Sequence, residues 1–418
     1  MKVFMLTLAS MLNRRWTLAL TVLSIALSVA LLLGVERVRQ DARSSFTNTI
    51  SGTDLVVGAR SGRVQLLLHS IFRIGNASNN ISWESYKKIS AHPTVDWSIP
   101  ISLGDSHRGF RVMGTSQNYF SDYTFANKQA LVFSKGQPFE AVFDTVIGSE
   151  VARQLGYTLD QEIVVAHGVT DVVFARHYDK PFTVVGILEP TGTPVDRTVH
   201  VSLEGIEAMH IDWKSGARTG KKITAEEALS RDLQPKQITA FLLSLESKIA
   251  VLAIQRAINE FGEEPLLAVL PGIALQELWD LIAVGENALL TVSIFVVISS
   301  FIGLLTGLLT SLNERRREIA ILRALGARRS HVVLLLLSEA LITTLLGLLA
   351  GFALFAVAVA SAQSFVQAQY GLYLTLSPPG AFEALFALGF VILSIVTGAY
   401  PAWRAYRQSL HDGMTPQH

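Results

Sequence analysis

Few residues in this chain have types and spacings that could do chemistry. The string nearest to a phosphate-binding loop is Gly216-Ala-Arg-Thr-Gly220-Lys221-Lys222, which has one residue too few between its glycines and no Ser or Thr after the lysine to hold magnesium. It reads as a flexible loop in a polar, basic stretch, Lys214–Gln237, expected to be an exposed loop or short helical insertion. No HExxH pair or GxSxG elbow is present, and His69, His92, His107, His167, His177, His200 and His210 lack tight ligand spacing. The absence of cysteine removes disulfides, thiolate metal sites and cysteine nucleophiles. The reading is therefore of a non-enzymatic chain with no catalytic residues, no metal site and no cofactor of its own.

One segment is chemically distinctive. Asn313-Glu314-Arg315-Arg316-Arg317-Glu318-Ile319-Ala-Ile-Leu322-Arg323-Ala324-Leu325-Gly326-Ala-Arg-Arg-Ser330 reads as an amphipathic helix. Ile319, Leu322 and Leu325 share a stripe, the arginines turn elsewhere, and Gly326 stands where a C-terminal cap would. Such a helix suits either an anionic lipid surface or a docked protein, and spacing alone leaves both open. Glu339 stands about two turns into an apolar run, where an ionisable group is costly; a structural hydrogen bond is the expected role, ahead of a relay. Gly303-x-x-x-Gly307 and Gly347-x-x-x-Gly351 permit close helix approach, in a dimer or within one subunit.

The elements that must carry these residues are membrane helices. Half of the residues are hydrophobic and only 17% are charged, below the roughly 25% of soluble domains. Mean hydropathy is +0.38 and the net charge is +1, which gives no case for nucleic acid as a partner. The expected order is a cytoplasmic segment 1–16, span 17–36, an extracytoplasmic domain 37–278, span 279–311, the amphipathic helix 312–330, span 331–362, an outer loop 363–380, span 381–403 and a tail 404–418. Each apolar run reaches the ~20 residues needed to cross, and the first is read as an anchor because its pattern runs on through Arg43, past the length of a signal peptide. Arg315, Arg316, Arg317, Arg323, Arg328 and Arg329 fall between the second and third spans, while Gln363–Gly380 has no Lys or Arg. The positive-inside rule then puts both termini in the cytoplasm and the large domain outside. That domain reads as mixed α/β, with strands near Asp54–Val57, Val95–Leu103, Phe110–Met113, Glu162–Ala166, Phe182–Ile187 and Thr198–Val201. Helices are expected near Ser82–Ala91, Ser149–Leu155 and Ser247–Phe261.

Glu314–Ala327, Ser338-Glu339-Ala340 with Gly347-x-x-x-Gly351, the closing Tyr400-Pro-Ala-Trp-Arg-Ala-Tyr406, and Val146–Gly156 with Val184–Pro194 together resemble the FtsX-like, MacB-like permease family of ABC transport systems, over essentially the whole chain. The resemblance implies four transmembrane α-helices with a MacB-like periplasmic core domain, in a bacterial inner membrane. It implies a partner ATPase that carries ATP and magnesium and docks on Glu314–Gly326, since only residues 1–16 precede the first span here. A second permease copy, in a homodimer or heterodimer, and a periplasmic adaptor or substrate protein are the other implied partners. The implied work is mechanotransmission: ATP hydrolysis inside moves the domain outside, to export or extract a lipid, lipoprotein, peptide or small molecule. The alternative is an FtsX-like regulator that transports nothing and activates a periplasmic enzyme. A sensor without an ATPase is set against by the arginine-rich segment.

Overall fold

The computed structural model describes residues 15–49, 51–167, 175–176, 178–214, 217–218, 223–314, 316–324, 327–370 and 380–407. The chain divides into two units, one formed by 1–41, 283–368 and 374–418 and the other by 42–282 and 369–373.

Four helices are long and apolar enough to cross a membrane: Arg15–Asn48, Pro271–Glu314, Arg329–Gln363 and Ala381–Arg407. The first two outrun their apolar cores. Arg15–Asn48 has 34 residues and Pro271–Glu314 has 44, which at 1.5 Å per residue makes them about 51 and 66 Å long against a hydrocarbon core of about 30 Å. Beyond Val35 the first helix stays helical through i,i+3 and i,i+4 ion pairs, Arg39 to Glu36 at 2.7 Å and Arg37 to Asp41 at 3.0 Å.

Within the helical unit, Ile25, Val29 and Leu33 of the first helix, Phe301, Leu304 and Leu308 of the second, Ala340 and Leu348 of the third and Phe390 of the fourth form one buried cluster. The outward faces are apolar too, as Leu290, Phe295, Leu349 and Val396 show, the pattern of helices solvated by lipid on one side.

The α/β unit is built on one large mixed sheet. Its strand order is Leu266–Val269, Leu55–Ala59, Ala240–Leu245, Val95–His107, Phe110–Thr115, Thr198–Ser202, Asp144–Ile147, Phe182–Leu188 and Phe133–Gly136. Neighbours along this path are antiparallel except Phe110–Thr115 with Thr198–Ser202 and Asp144–Ile147 with Phe182–Leu188. Both faces are covered. Val56 and Leu242 point into one core, with Met113 and Tyr119, while Leu55, Val57, Phe241 and Leu243 point into another, as the period of two requires. Ser82 caps the helix Trp83–Ser90 by accepting from Ser85 N, and Gly156 ends Ser149–Leu155 at φ 69°.

Several expected elements change on folding. The run 162–166 is broken into Glu162–Ile163 and Ala166–His167. The helix expected over 247–261 occupies Val251–Asn259. The described part of 214–237 includes a short helix, Ala225–Leu229, closed by a Thr224–Glu227 capping box.

Candidate functional site

The segment joining the second and third long helices is helical over Arg316–Ala324. Arg315, Leu325 and Gly326 lie outside the described residues, as do Gly216, Gly220, Lys221 and Lys222. Glu314 is exposed at the end of the preceding helix, and the backbone of Arg316, Arg317, Glu318 and Leu322 is helical. Ile319 packs inward against a cluster of Leu312, Val332, Leu336, Ala402 and Ala405. Ala320 is buried, Ile321 and Ala324 are exposed, and Arg323 is partly exposed. Ala402 and Ala405 come from the closing Tyr-Pro-Ala motif, so two motifs far apart in sequence meet in one small cluster. Arg329 lies 5.4 Å over the ring of Tyr406, a cation–π contact between the third and fourth helices.

The two glycine pairs have different surroundings. A Cβ at Gly347 would stand 2.6 Å from Cγ2 of Ile25, and one at Gly351 would stand 2.6 Å from Cβ of Val29 and 2.9 Å from the Ala26 carbonyl oxygen. That pair forms a seam within the subunit, between the third and first helices. Gly303 has nothing within 4 Å, and Gly307 has only Thr21 Oγ1 at 3.9 Å. A further close approach, missed from sequence, sets Gly398 of the fourth helix against Ala340 at 3.1 Å. Its signal was the small-x-x-x-small pair Ser394 and Gly398.

A serine clasp was also missed. Ser300 Oγ lies 2.8 Å from Ser24 Oγ and 2.6 Å from Ser28 Oγ, with Ser28 and Ser300 buried. Ser28 Oγ also donates to the Ser24 carbonyl at 2.8 Å. The first helix is thus held on adjoining faces, by hydroxyls to the second helix and by Ile25 and Val29 in the notch of the third. Glu339 is half-buried on the third helix, and its carbonyl accepts from Thr343 Oγ1 at 2.8 Å.

In the α/β unit, the C-terminal end of the first long helix and the N-terminal end of the second are rooted together. Phe46 packs against Phe72 at 4.3 Å with the rings tilted by 54° and meets Trp279 edge-on at 5.5 Å, while the Arg43 guanidinium covers Trp279 at 5.4 Å. Ala274, Leu275 and Leu278 are buried in the same core as Val56 and Tyr119. Ser45 Oγ donates to the Gly192 carbonyl at 3.3 Å, and Tyr123 Oη donates to the Thr49 carbonyl at 2.8 Å. Gly192 belongs to a turn organised by Asp196, whose carboxylate accepts from Thr191 N and Oγ1, both at 2.8 Å, and from Gly192 N at 2.9 Å. The first motif meets this turn through Gly148, where a Cβ would stand 2.3 Å from the Val195 carbonyl oxygen. Both domain motifs are therefore structural: they build the turn that Ser45 grips.

The histidines of this unit hold structure as well. His107 bonds through Nδ1 to the Val164 carbonyl at 2.7 Å and through Nε2 to Tyr157 Oη at 2.9 Å. His200 bonds through Nδ1 to the Val146 carbonyl at 3.2 Å; burial, with the nearby charge of Arg73, pushes its pKa down to about 3. His210 pairs with Asp105 at 3.5 Å. Among the described residues, no three His, Asp or Glu side chains gather as a metal group; His177 lies outside them.

Two family models match: the MacB-like periplasmic core domain over residues 18–261 and the FtsX-like permease C-terminal over residues 290–410. Among curated relatives, the macrolide export ATP-binding/permease protein MacB of Shewanella sp. (strain W3-18-1) is 22% identical over 98% of this chain and 60% of its own length. The protein of the same name from Bdellovibrio bacteriovorus is 24% identical over 92% of this chain and 57% of its own. The chain thus spans about 60% of the length of the curated relatives it matches. The crystal structure of the periplasmic region of MacB from Actinobacillus actinomycetemcomitans aligns to 56% of this chain and 97% of its own, at 10% identity and a TM-score of 0.34.

Proposed function

Because the chain belongs to the FtsX-like permease family with a MacB-like periplasmic core domain, we propose that it is the permease component of an ABC transport system and works as a mechanical transmitter. In this reading it sits in the bacterial inner membrane with both termini and the Arg316–Ala324 helix in the cytoplasm. A separate ABC ATPase docks on that helix and supplies the ATP and magnesium chemistry, and a second permease copy completes the complex. The chain itself catalyses nothing. The curated relatives are named for macrolide export; the cargo here is a small molecule, peptide, lipid or lipoprotein met on the extracytoplasmic side.

One observation carries the reading. Arg15–Asn48 and Pro271–Glu314 are each unbroken helices, and their outer ends are fixed in the α/β core by Phe46, Leu278 and Trp279. A helix without a break transmits tilt as a rigid rod, whereas a polar path for cargo would need ionisable or polar residues lining the spans. Apart from Glu339 and Glu383, the apolar runs carry no Asp, Glu, Lys, Arg or His, and polar side chains such as Ser24, Ser28 and Ser300 bond helix to helix.

The test starts at the docking helix. Ala324→Trp and Ile321→Asp alter exposed positions, so each should abolish co-purification of the ATPase while leaving the chain in the membrane. Full retention of the ATPase by both variants would sink the docking assignment. Spin-label distances between the extracytoplasmic domains of two copies should change when nucleotide is trapped; an unchanged distribution would reject transmission.

A further inference from the structure

Where the first three long helices meet, a cavity of about 40 Å³ is lined by Thr21 of the first, Gly307, Leu308 and Ser311 of the second, and Glu339 and Thr343 of the third. Its lining mixes hydroxyls and a carboxyl group with leucine side chains. Ser311 is only 2% exposed, and its hydroxyl has no hydrogen-bonding protein partner among the described residues. A buried hydroxyl left so keeps the full penalty of its desolvation, which marks the cavity as a place where something supplies the missing bond.

The other groups decide what that guest must be. Thr21 Oγ1 donates its proton to the Thr17 carbonyl at 2.9 Å, and Thr343 Oγ1 donates to the Glu339 carbonyl at 2.8 Å. Both hydroxyls have spent their protons on their own helices and offer the cavity lone pairs only. A guest must therefore donate to the threonines and also accept from Ser311. Water does both. A bare cation satisfies the lone pairs but gives the Ser311 proton no acceptor. A volume of about 40 Å³ holds one to about three waters at roughly 10–15 Å³ each.

We propose that this cavity is a built hydration site, which ties Ser311 to Thr21 and Thr343 through water beside the Glu339 side chain. The packing favours it. Gly307 has only Thr21 Oγ1 within 4 Å, at 3.9 Å, so the second helix leaves a gap there, in contrast to the tight notch that Gly347 and Gly351 form with the first helix.

Hydroxyl-radical labelling of the full chain in lipid nanodiscs tests this directly, because X-ray radiolysis of a bound water oxidises the side chains beside it. Leu304 and Leu308 line the cavity yet are only 3% and 2% exposed, while Leu348, 5% exposed, is buried in the same bundle outside it. Leu304 or Leu308 should be oxidised severalfold faster than Leu348. Ser311→Val, which removes the hydroxyl, and Gly307→Ala, which narrows the gap where a Cβ has room, should each bring that rate down toward the Leu348 value. The second variant carries the test if the first fails to fold. Equal labelling of all three leucines in the unaltered chain would overturn the proposal, as would rates that neither variant changes. A fast rate that falls when sodium replaces choline in the buffer would assign the cavity to a cation and overturn it equally.

Discussion

Gly347 and Gly351 hold Ile25 and Val29 so closely that a Cβ at either glycine would stand 2.6 Å from a side-chain carbon, whereas a Cβ at Gly303, at the same four-residue spacing from Gly307, would meet no neighbouring element within 4 Å among the described residues. Both pairs sit in apolar helices with the same small-x-x-x-small spacing. The pattern permits close approach and does not specify a partner; the partner is specified by the β-branched residues on the first helix that fit one notch. A similar contrast runs along the second long helix. Leu275, Leu278 and Trp279 pack into the α/β core, and a few residues later Val284 is 74% exposed.

That second contrast yields the largest expected effect. Gly-Gly at Leu278–Trp279 deletes two core side chains and the Phe46 contact, at roughly 2–5 kcal/mol for each large side chain lost, and should unfold or strongly destabilise the α/β unit. Gly-Gly at Ala283–Val284 removes little packing and adds only about 1 kcal/mol per glycine in helix propensity, beside the existing Gly285. It should leave the domain folded and the ATPase active in the complex while transport output falls. Limited proteolysis and thermal melts separate the two variants. Equal stability of both would mean that Leu278 and Trp279 do not root the helix.

The glycine notch comes next. Gly351→Leu overpacks a filled seam and should cost about 1–3 kcal/mol, lowering the melting temperature of the purified chain; Gly303→Leu should leave it nearly unchanged. Equal losses at both sites would show that Gly303 is covered in the folded subunit. A melting temperature unmoved by Gly351→Leu would break the seam assignment.

What sequence made legible follows from how each feature is written in it. Uninterrupted apolar runs announced the four spans, and local chemistry announced the Ser82 and Gly156 caps. The strand Ala240–Leu245 escaped because it is buried on both faces, so it lacks the polar alternation that reveals a half-exposed strand. Leu266–Val269, beside Leu55–Ala59, escaped as a short run of the same kind. At the Arg316–Ala324 helix, spacing placed Ile319 on the stripe with Leu322 and Leu325, but it could not show that Ile319 packs against a cluster containing Ala402 and Ala405, which lie more than eighty positions away. The serine clasp was hidden because serine is common in membrane helices, and only geometry distinguishes Ser24, Ser28 and Ser300 from Ser293, which bonds its own helix at Leu289 O.

The clasp gives a smaller effect and sharpens the contrast between sealed and open faces. Ser28→Ala removes one interhelical hydroxyl from a contact that two serines still share, and such membrane hydrogen bonds average about 0.6 kcal/mol, with a maximum near 1.7. A modest fall in melting temperature is expected, and Ser24→Ala combined with Ser300→Ala should show coupling in a double-mutant cycle. Strict additivity of that pair would mean that the hydroxyls do not act together.

The smallest effect should come from the half-open ion pair of the α/β unit, because solvent screens part of it. Burial pulls the pKa of His210 down, but the charge and hydrogen bond of Asp105, helped by Glu207 and opposed by Lys180, outweigh it and leave the pKa raised. A histidine whose folded pKa lies above its unfolded value near 6.5 stabilises the fold fully below that value and loses the contribution as pH rises through the folded pKa. His200 has the opposite sign: its pKa of about 3 makes the fold lose stability as pH falls from about 6.5 toward 3. Melts of the purified chain at pH 7.5 and pH 9 therefore isolate His210, since above about pH 7.5 a histidine with a lowered folded pKa, such as His200, is neutral in the folded and unfolded states alike. The unaltered chain should lose a small increment of stability between those two values, and His210→Gln should abolish that increment without changing the loss seen in acid. An increment that survives in His210→Gln would move the alkaline titration to another group and leave the Asp105 contact electrostatically idle.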